Sequence, residues 1–195
     1  GNMGLPICLF AYGKLGLGVA SAISAVIIIS HFTFGIFLAS KKINLKVLLE
    51  SVPVYAVLVA VVFLYFNVQP PKFIENTAFL LAYSTIALIL MSLGIALTKL
   101  KVFSFKNAII STFARLILGP LIALGLIYFF DLKGVPAGVL FIQCSMPSAI
   151  LTYLVGSMYS SKKVVNSIAS TIVVSTVVSF LTIPIIVFIS LKYFF

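Results

Sequence analysis

Two prolines inside apolar segments stand beside the polar residues best suited to hold a ligand. Asn2 and Gly4 precede Pro6 in GNMGLP, and neutral polar residues surround Pro147 in QCSMPSAILT: Gln143, Ser145, Ser148 and Thr152. A proline within a helix removes one N–H donor and frees a carbonyl group. Freed carbonyls favour cations, whereas the N-terminus of a half-helix favours anions. The two segments therefore predict a site for a small polar or anionic ligand.

The only arginine and the only histidine of the chain also fall inside apolar segments. Arg115 lies nine residues beyond Lys106 in KNAIISTFARLILGP, which is about 13 Å along a helix. A cation inside a membrane helix is costly and indicates a functional site, here one that helps to hold an anion. Alternatively, Arg115 extends toward the aqueous face or bonds carbonyls freed by Pro120. His31 is interpreted as packed and hydrogen-bonded, with a proton relay as the alternative.

The composition requires that these residues lie in a membrane. Of the 195 residues 63% are hydrophobic and 8% are charged, and the mean hydropathy is +1.30. A hydrocarbon core of about 30 Å is crossed by roughly 20 apolar residues in a helix, and several segments reach that length without an interior charge. Long continuous apolar runs favour helices over an outer-membrane barrel. The predicted fold class is an all-α integral membrane protein.

The apolar segments predict one short piece and a series of spans. The piece, residues 1–12, reaches about 18 Å and cannot cross a bilayer alone. The predicted spans are residues 15–39, 47–68, 73–97, 103–130, 135–158 and 164–195.

The net charge of +10 comes from lysines in the short connections. Sorting the connections alternately places these lysines on one side: Lys41, Lys42, Lys46, Lys99, Lys101, Lys106, Lys162 and Lys163. The other side holds Lys14, Lys72, Lys133 and Lys192. The positive-inside rule then predicts a multi-pass protein of the cell (inner) membrane, with the lysine-rich side in the cytoplasm. This arrangement excludes a nucleic-acid partner.

The sequence contains no enzyme motif of the HExxH, GxSxG or P-loop type. Cys8 and Cys144 have no metal-binding spacing and are interpreted as buried thiols, so neither a metal site nor a cofactor is predicted. The three acidic residues lie at or near connections and do not resemble buried proton carriers: Glu50, Glu75 and Asp131. A coupling ion, Na+ or H+, would have to bind to backbone carbonyls or to residues outside this sequence.

A short internal similarity indicates an inverted repeat. ASAISAVIII at residues 20–29 matches NSIASTIVVS at residues 166–175, and a proline lies upstream of each. An odd number of crossings separates the two copies, so the second is inserted upside down. We assign residues 1–40 to the C-terminal part of the first repeat and residues 41–195 to the second. Pro6 and Pro147 could merely kink packed helices, but their equivalent places in the repeat favour a site.

These segments resemble the auxin efflux carrier family, including its bacterial members. GNMGLPICLFAYGKLGLGVASA resembles the fourth helix of that family, and LMSLGIALTKL, RLILGP, QCSMPSAILTYLVGSMYSSKKVVNSIAST and LTIPIIVFI resemble later parts. The resemblance implies a ten-helix inverted-repeat carrier, related in fold to bile-acid sodium symporters, with a scaffold and a moving core. Pro6 and Pro147 would form the crossover of two broken helices, and Asn2 with the polar residues around Pro147 would line the site.

The resemblance also implies secondary active transport of small organic anions, such as the dicarboxylates malate and malonate, by alternating access. The alternatives are a sodium-coupled symporter of the bile-acid type and a membrane subunit that transports nothing. The expected partners are the organic anion, the lipid bilayer and a second copy of the chain, paired through scaffold helices.

Counting spans in the two copies leads to a prediction about the gene. Three spans precede the Pro147 helix in the second copy, so we expect three further spans before Gly1. The DNA immediately upstream tests this: three in-frame apolar spans confirm it, and a start codon directly at Gly1 contradicts it.

Overall fold

The computed structural model of the chain describes residues 3–40, 52–66, 70–99 and 102–194. All regular structure in these ranges is helical. Helix α1 (Gly4–Ser30) continues through a π-helical turn (His31–Gly35) into α2 (Ile36–Ser40). The remaining helices are α3 (Val52–Tyr65), α4 (Lys72–Lys99), α5 (Phe105–Phe129), α6 (Val135–Cys144), α7 (Ile150–Tyr159) and α8 (Lys162–Phe194). The predicted all-α class is confirmed.

Four of the described segments are long and apolar enough to cross a membrane: Gly4–Ala39, Lys72–Ser92, Phe105–Phe129 and Lys162–Phe194. Helices α6 and α7 have 10 residues each, about 15 Å, and each reaches roughly half-way through the hydrocarbon core. The predicted span at residues 135–158 is therefore two half-helices, separated by a non-helical segment at residues 145–149 that contains Pro147.

Helix α1 bends at Gly13, where φ is 63° and ψ is −152°. Only glycine adopts this backbone conformation without strain, because a Cβ atom would clash with the main chain. The bend falls between the two predicted segments, residues 1–12 and 15–39. Pro6 is buried in the first turn of α1, where a missing N–H costs no intrahelical hydrogen bond.

Helix α6 lies at the centre of the packing, in contact with α1, α5 and α8. Helix α8 also packs against α5 and α7. The part of α1 before Gly13 shares an apolar cluster with α6, and its buried members include Cys8, Val139 and Ile142. Most of the described side chains of α3 and α4 are apolar and exposed, as expected for surfaces that face lipid.

A buried hydrogen-bonded cluster joins α1, α6 and α8. Tyr12 Oη donates to the Ser190 carbonyl at 3.0 Å and lies 2.7 Å from Ser190 Oγ. Ser190 Oγ in turn donates to the Gly138 carbonyl at 3.0 Å. A Cβ atom on Gly138 would overlap the Tyr12 hydroxyl. The missing side chain of Gly138 is therefore what allows the three helices to meet.

We predict that Gly138→Ala destabilises the protein, because the new methyl group must displace Tyr12. Overpacking of this kind costs about 1–3 kcal/mol, measurable as a lower melting temperature of the detergent-solubilised complete protein. Gly125→Ala on α5 is the matched control, since a Cβ atom there meets open space. Equal melting temperatures for the two variants would contradict the predicted contact.

Candidate functional site

The non-helical segment between α6 and α7 satisfies its backbone groups with nearby partners. The Ser145 N–H donates to the carbonyls of Phe141 and Ile142 at 3.2 and 3.1 Å, and Ser145 Oγ donates to Phe141 at 2.6 Å. The Ser148 N–H donates to Ser175 Oγ of α8 at 3.2 Å. Because lipid offers no hydrogen bonds, these partners are what permit a helix to break inside the membrane.

The break exposes two helix ends of opposite polarity. Helix α6 ends at Cys144, and its last carbonyls carry partial negative charge. Helix α7 begins after Ala149, no side chain caps its first turn, and its first N–H groups carry partial positive charge. An anion and a cation could therefore each find a matching helix end at this break.

A cavity of about 540 Å³ lies beside the break, between α1, the π turn, α5, α6, α7 and α8. Its lining residues are Ile27, His31, Ser111, Arg115, Gly119, Ile122, Gln143, Cys144, Ser148, Ala149, Thr152, Ser167, Ile168 and Thr171. The lining combines a guanidinium group, an imidazole, an amide and several hydroxyls. None of these described lining residues is acidic, so the cavity suits an anionic ligand.

The acidic residues lie elsewhere, as the sequence indicates. Asp131 pairs with Lys133 at 2.9 Å in the exposed connection before α6. Glu75 is exposed in the first turn of α4, and Glu50 lies outside the described residues. Neither described carboxylate is placed to carry protons through the cavity.

The cavity collects four of the residues predicted from the sequence: Arg115, Gln143, Ser148 and Thr152. Ser145 and Pro147 are buried in the break but do not line the cavity. Pro6 is buried in α1 and also lies off the cavity. Asn2 lies outside the described residues.

Gln143 connects the break to both halves of α1. The side chain is 2% exposed, and its Nε2 atom donates to the Ala20 carbonyl and to Ser24 Oγ, both at 3.4 Å. Gly4, also predicted as a site residue, lies against the Gln143 amide, where a Cβ atom would overlap it. The start of α1 and the end of α6 therefore meet at this amide.

Arg115 reaches the cavity because its face of α5 is lined with small residues. Ser111, Arg115 and Gly119 are spaced by four and lie on one face of the helix. A Cβ atom on Gly119 would overlap the Cys144 carbonyl, so glycine allows α5 to approach the end of α6. Arg115 thus lies in the cavity wall, and its role in holding an anion stays a prediction.

Several lining residues were not among those predicted from the sequence. His31, interpreted as packed, lies half-buried in the cavity wall. Ser111 on α5, and Ser167 and Thr171 on α8, also line the cavity. The spacing of these residues in the sequence could have identified them, because polar residues four apart on an otherwise apolar helix form one polar face.

Comparison with known proteins agrees with this architecture. The profile of a family described as membrane transport protein matches residues 36–187, most of the chain. The chain belongs to this family. The family is auxin efflux carrier-like, which confirms the resemblance seen in the sequence.

A relative and the search of solved structures complete the comparison. The chain is 28% identical over 193 residues to an uncharacterized transporter of Methanocaldococcus jannaschii, covering 94% of this chain and 62% of the relative. The chain thus spans less than two thirds of that relative. No solved structure matches the chain significantly. Family and helices together identify a multi-pass protein of the membrane transport class.

We predict that Ser175→Ala destabilises the protein by leaving the Ser148 N–H without its acceptor. Hydrogen bonds between membrane helices contribute about 0.6 kcal/mol on average and up to about 1.7 kcal/mol, and thermal unfolding in detergent would measure the loss. Ser179→Ala is the matched control, because among the described residues that buried hydroxyl bonds only the Thr176 carbonyl of its own helix. A Ser175 variant as stable as the Ser179 variant would contradict the role assigned to this bond.

Proposed function

We propose that the protein is a secondary active transporter of small organic anions such as dicarboxylates, working by alternating access. The observation that carries the proposal is the cavity at the break, with Arg115 on its wall and no acidic residue among its described lining. Its volume of about 540 Å³ fits a small-molecule site. Membership of the membrane transport protein family supports transport as the class of activity.

The chemistry of the lining fits a molecule with two carboxylates. A guanidinium group binds a carboxylate through two parallel hydrogen bonds, so Arg115 is the expected anchor. The N-terminus of α7 and the hydroxyls of Ser148 and Thr152 can receive the second carboxylate. Charge interactions are strong in apolar surroundings, so one permanent cation and one helix end suffice to attract an anion.

The broken helix fits a mechanism in which the site stays near the membrane midplane. Half-helices of about 15 Å place the break close to the middle of the hydrocarbon core. The proposal is that the core helices move against a scaffold and open the cavity to each side in turn. The inverted repeat, the pairing of two copies and the cell-membrane location remain predictions from the sequence.

A sodium-coupled symporter is the second candidate, and two buried hydroxyls favour it. Thr112 on α5 and Thr176 on α8 are 0% and 1% exposed, and their Oγ1 atoms have no hydrogen-bond partner in the described part of the chain. Thr176 follows Ser175, whose hydroxyl accepts a hydrogen bond from the Ser148 N–H in the break. Hydroxyls and the carbonyls of a broken helix are suitable oxygen ligands for Na+. Faster malate uptake under an inward sodium gradient than under a potassium gradient would support this candidate.

The main proposal predicts that Arg115→Gln impairs malate transport. Loss of a hydrogen-bonded charge costs about 1.5–3 kcal/mol, so we expect roughly 10- to 100-fold weaker apparent affinity. The measurement is uptake of radiolabelled malate by proteoliposomes that contain the complete protein. Lys106→Gln is the matched control, because it removes a positive charge from the same helix outside the cavity.

Two outcomes would contradict the proposal. Absence of flux for both malate and malonate, with no rise in melting temperature when either is added, would favour the non-transporting subunit. Equal losses in the Arg115 and Lys106 variants would show that general positive charge, and not the cavity, attracts the anion.

A further inference from the structure

His31 is the one titratable imidazole in this sequence, and its position in the cavity wall is specific. It is the first residue of the π-helical turn, a local irregularity that is frequent at functional sites. The Nδ1 atom lies 2.9 Å from the Ile27 carbonyl, and the Nε2 atom lies 3.4 Å from Thr152 Oγ1 on α7. The ring therefore spans from its own helix to the half-helix that begins at the break.

These contacts define what each ring nitrogen can do. A carbonyl oxygen can only accept, so Nδ1 carries a hydrogen and donates to Ile27. In the neutral ring Nε2 is then an acceptor, and the Thr152 hydroxyl can donate a hydrogen bond to it. Protonation turns Nε2 into a charged donor. A single proton thus converts this part of the cavity wall from one that receives donors into one that binds carboxylates.

The charges around His31 link that proton to an anion. Arg115 on α5 and Cys144 on α6 are the other titratable residues that line the cavity. The elements that pack against the π turn are α1, α2 and α7, whose described titratable side chains lie off the cavity: Cys8, Tyr12, Lys14, Tyr153 and Tyr159. Lys14 is 17 positions from His31, about 25 Å along a helix. The permanent charge in the cavity is therefore that of Arg115.

We propose that His31 couples proton binding to anion binding: when a dicarboxylate enters the cavity, Nε2 takes up one proton from the aqueous phase. A neutral Nε2 cannot donate to a carboxylate, whereas an imidazolium can donate to one in the same cavity wall that holds the Arg115 guanidinium. A dianion balances both cations, and the imidazolium form is then favoured. By linkage, the proton strengthens anion binding as much as the anion strengthens proton binding. The inference rests on the proposed function and assigns H+ as the coupling ion.

The experiment is malate binding to the complete protein by titration calorimetry at about pH 6 and about pH 8, on the two sides of the ordinary histidine pKa of about 6.5. Each titration is repeated in two buffers with different ionisation enthalpies, which gives the number of protons taken up. We expect proton uptake with malate near neutral pH and about tenfold weaker binding at about pH 8, since a carboxylate loses a charged partner. His31→Gln keeps an amide near the Nε2 position but cannot titrate.

The matched control is Ser30→Ala, at the preceding residue. Within the described part of the chain, the Ser30 hydroxyl bonds only the Val26 carbonyl of its own helix, at 2.8 Å. The control should keep the proton uptake and the pH dependence, whereas His31→Gln should lose both. At a given pH malate has the same ionisation state with either protein. Comparison of the His31 variant with the unsubstituted protein therefore distinguishes protonation of the protein from protonation of malate. Should His31→Gln fail to fold, ¹⁵N-histidine NMR of the unsubstituted protein, with and without malate, reads the same protonation directly.

The outcomes separate the inference from the function beneath it. Malate binding without proton uptake, or with equal uptake in the His31 variant, overturns the role of His31 and leaves anion transport intact. Failure of malate to bind the unsubstituted protein at either pH overturns the proposed function and the inference with it.

Discussion

The break between α6 and α7 depends on one constraint: a membrane helix that ends in apolar surroundings must satisfy its backbone within the protein. Ser145 folds its own N–H and hydroxyl back onto α6, and Ser148 uses a hydroxyl that α8 supplies through Ser175. The position of α8 is thereby tied to the break. Without such partners the backbone groups of the break would be left without hydrogen bonds in the membrane, which is costly.

The same constraint explains why small residues occur where helices meet. Gly119 lets α5 approach the last carbonyls of α6, and Gly138 leaves room for the hydroxyl of Tyr12. Apolar side chains give little driving force for association in lipid, so close backbone approach and interhelical hydrogen bonds hold these helices together. Gly4 serves the same purpose beside Gln143. Gly138 thus permits hydrogen bonds between helices, and Gly4 and Gly119 permit close contact with the end of α6.

The electrostatics of the cavity follow from what surrounds it. Arg115 brings a permanent charge into a low-dielectric region, and the described acidic residues stay at exposed connections. Arg115 is exposed in the structure, and a cation without a partner inside a membrane is unfavourable, so a ligand of opposite charge would relieve that cost. The N-terminus of α7 adds a partial positive charge at the same place. An anion is the ligand that both features favour.

The sequence alone predicts the all-α membrane class, the approximate extent of the four long apolar helices and an interruption at Pro147. These predictions follow from local properties. Hydropathy identifies the spans, proline interrupts a helix, and a lone arginine in an apolar segment indicates a functional site. Only the tertiary structure decided which of these residues meet. It brought Arg115 to the Gln143 end of α6, left Pro6 and Ser145 off the cavity, and turned His31 into its wall. Those outcomes depend on glycines that fix the approach of one helix to another, and such distances between remote segments are not encoded in any local pattern.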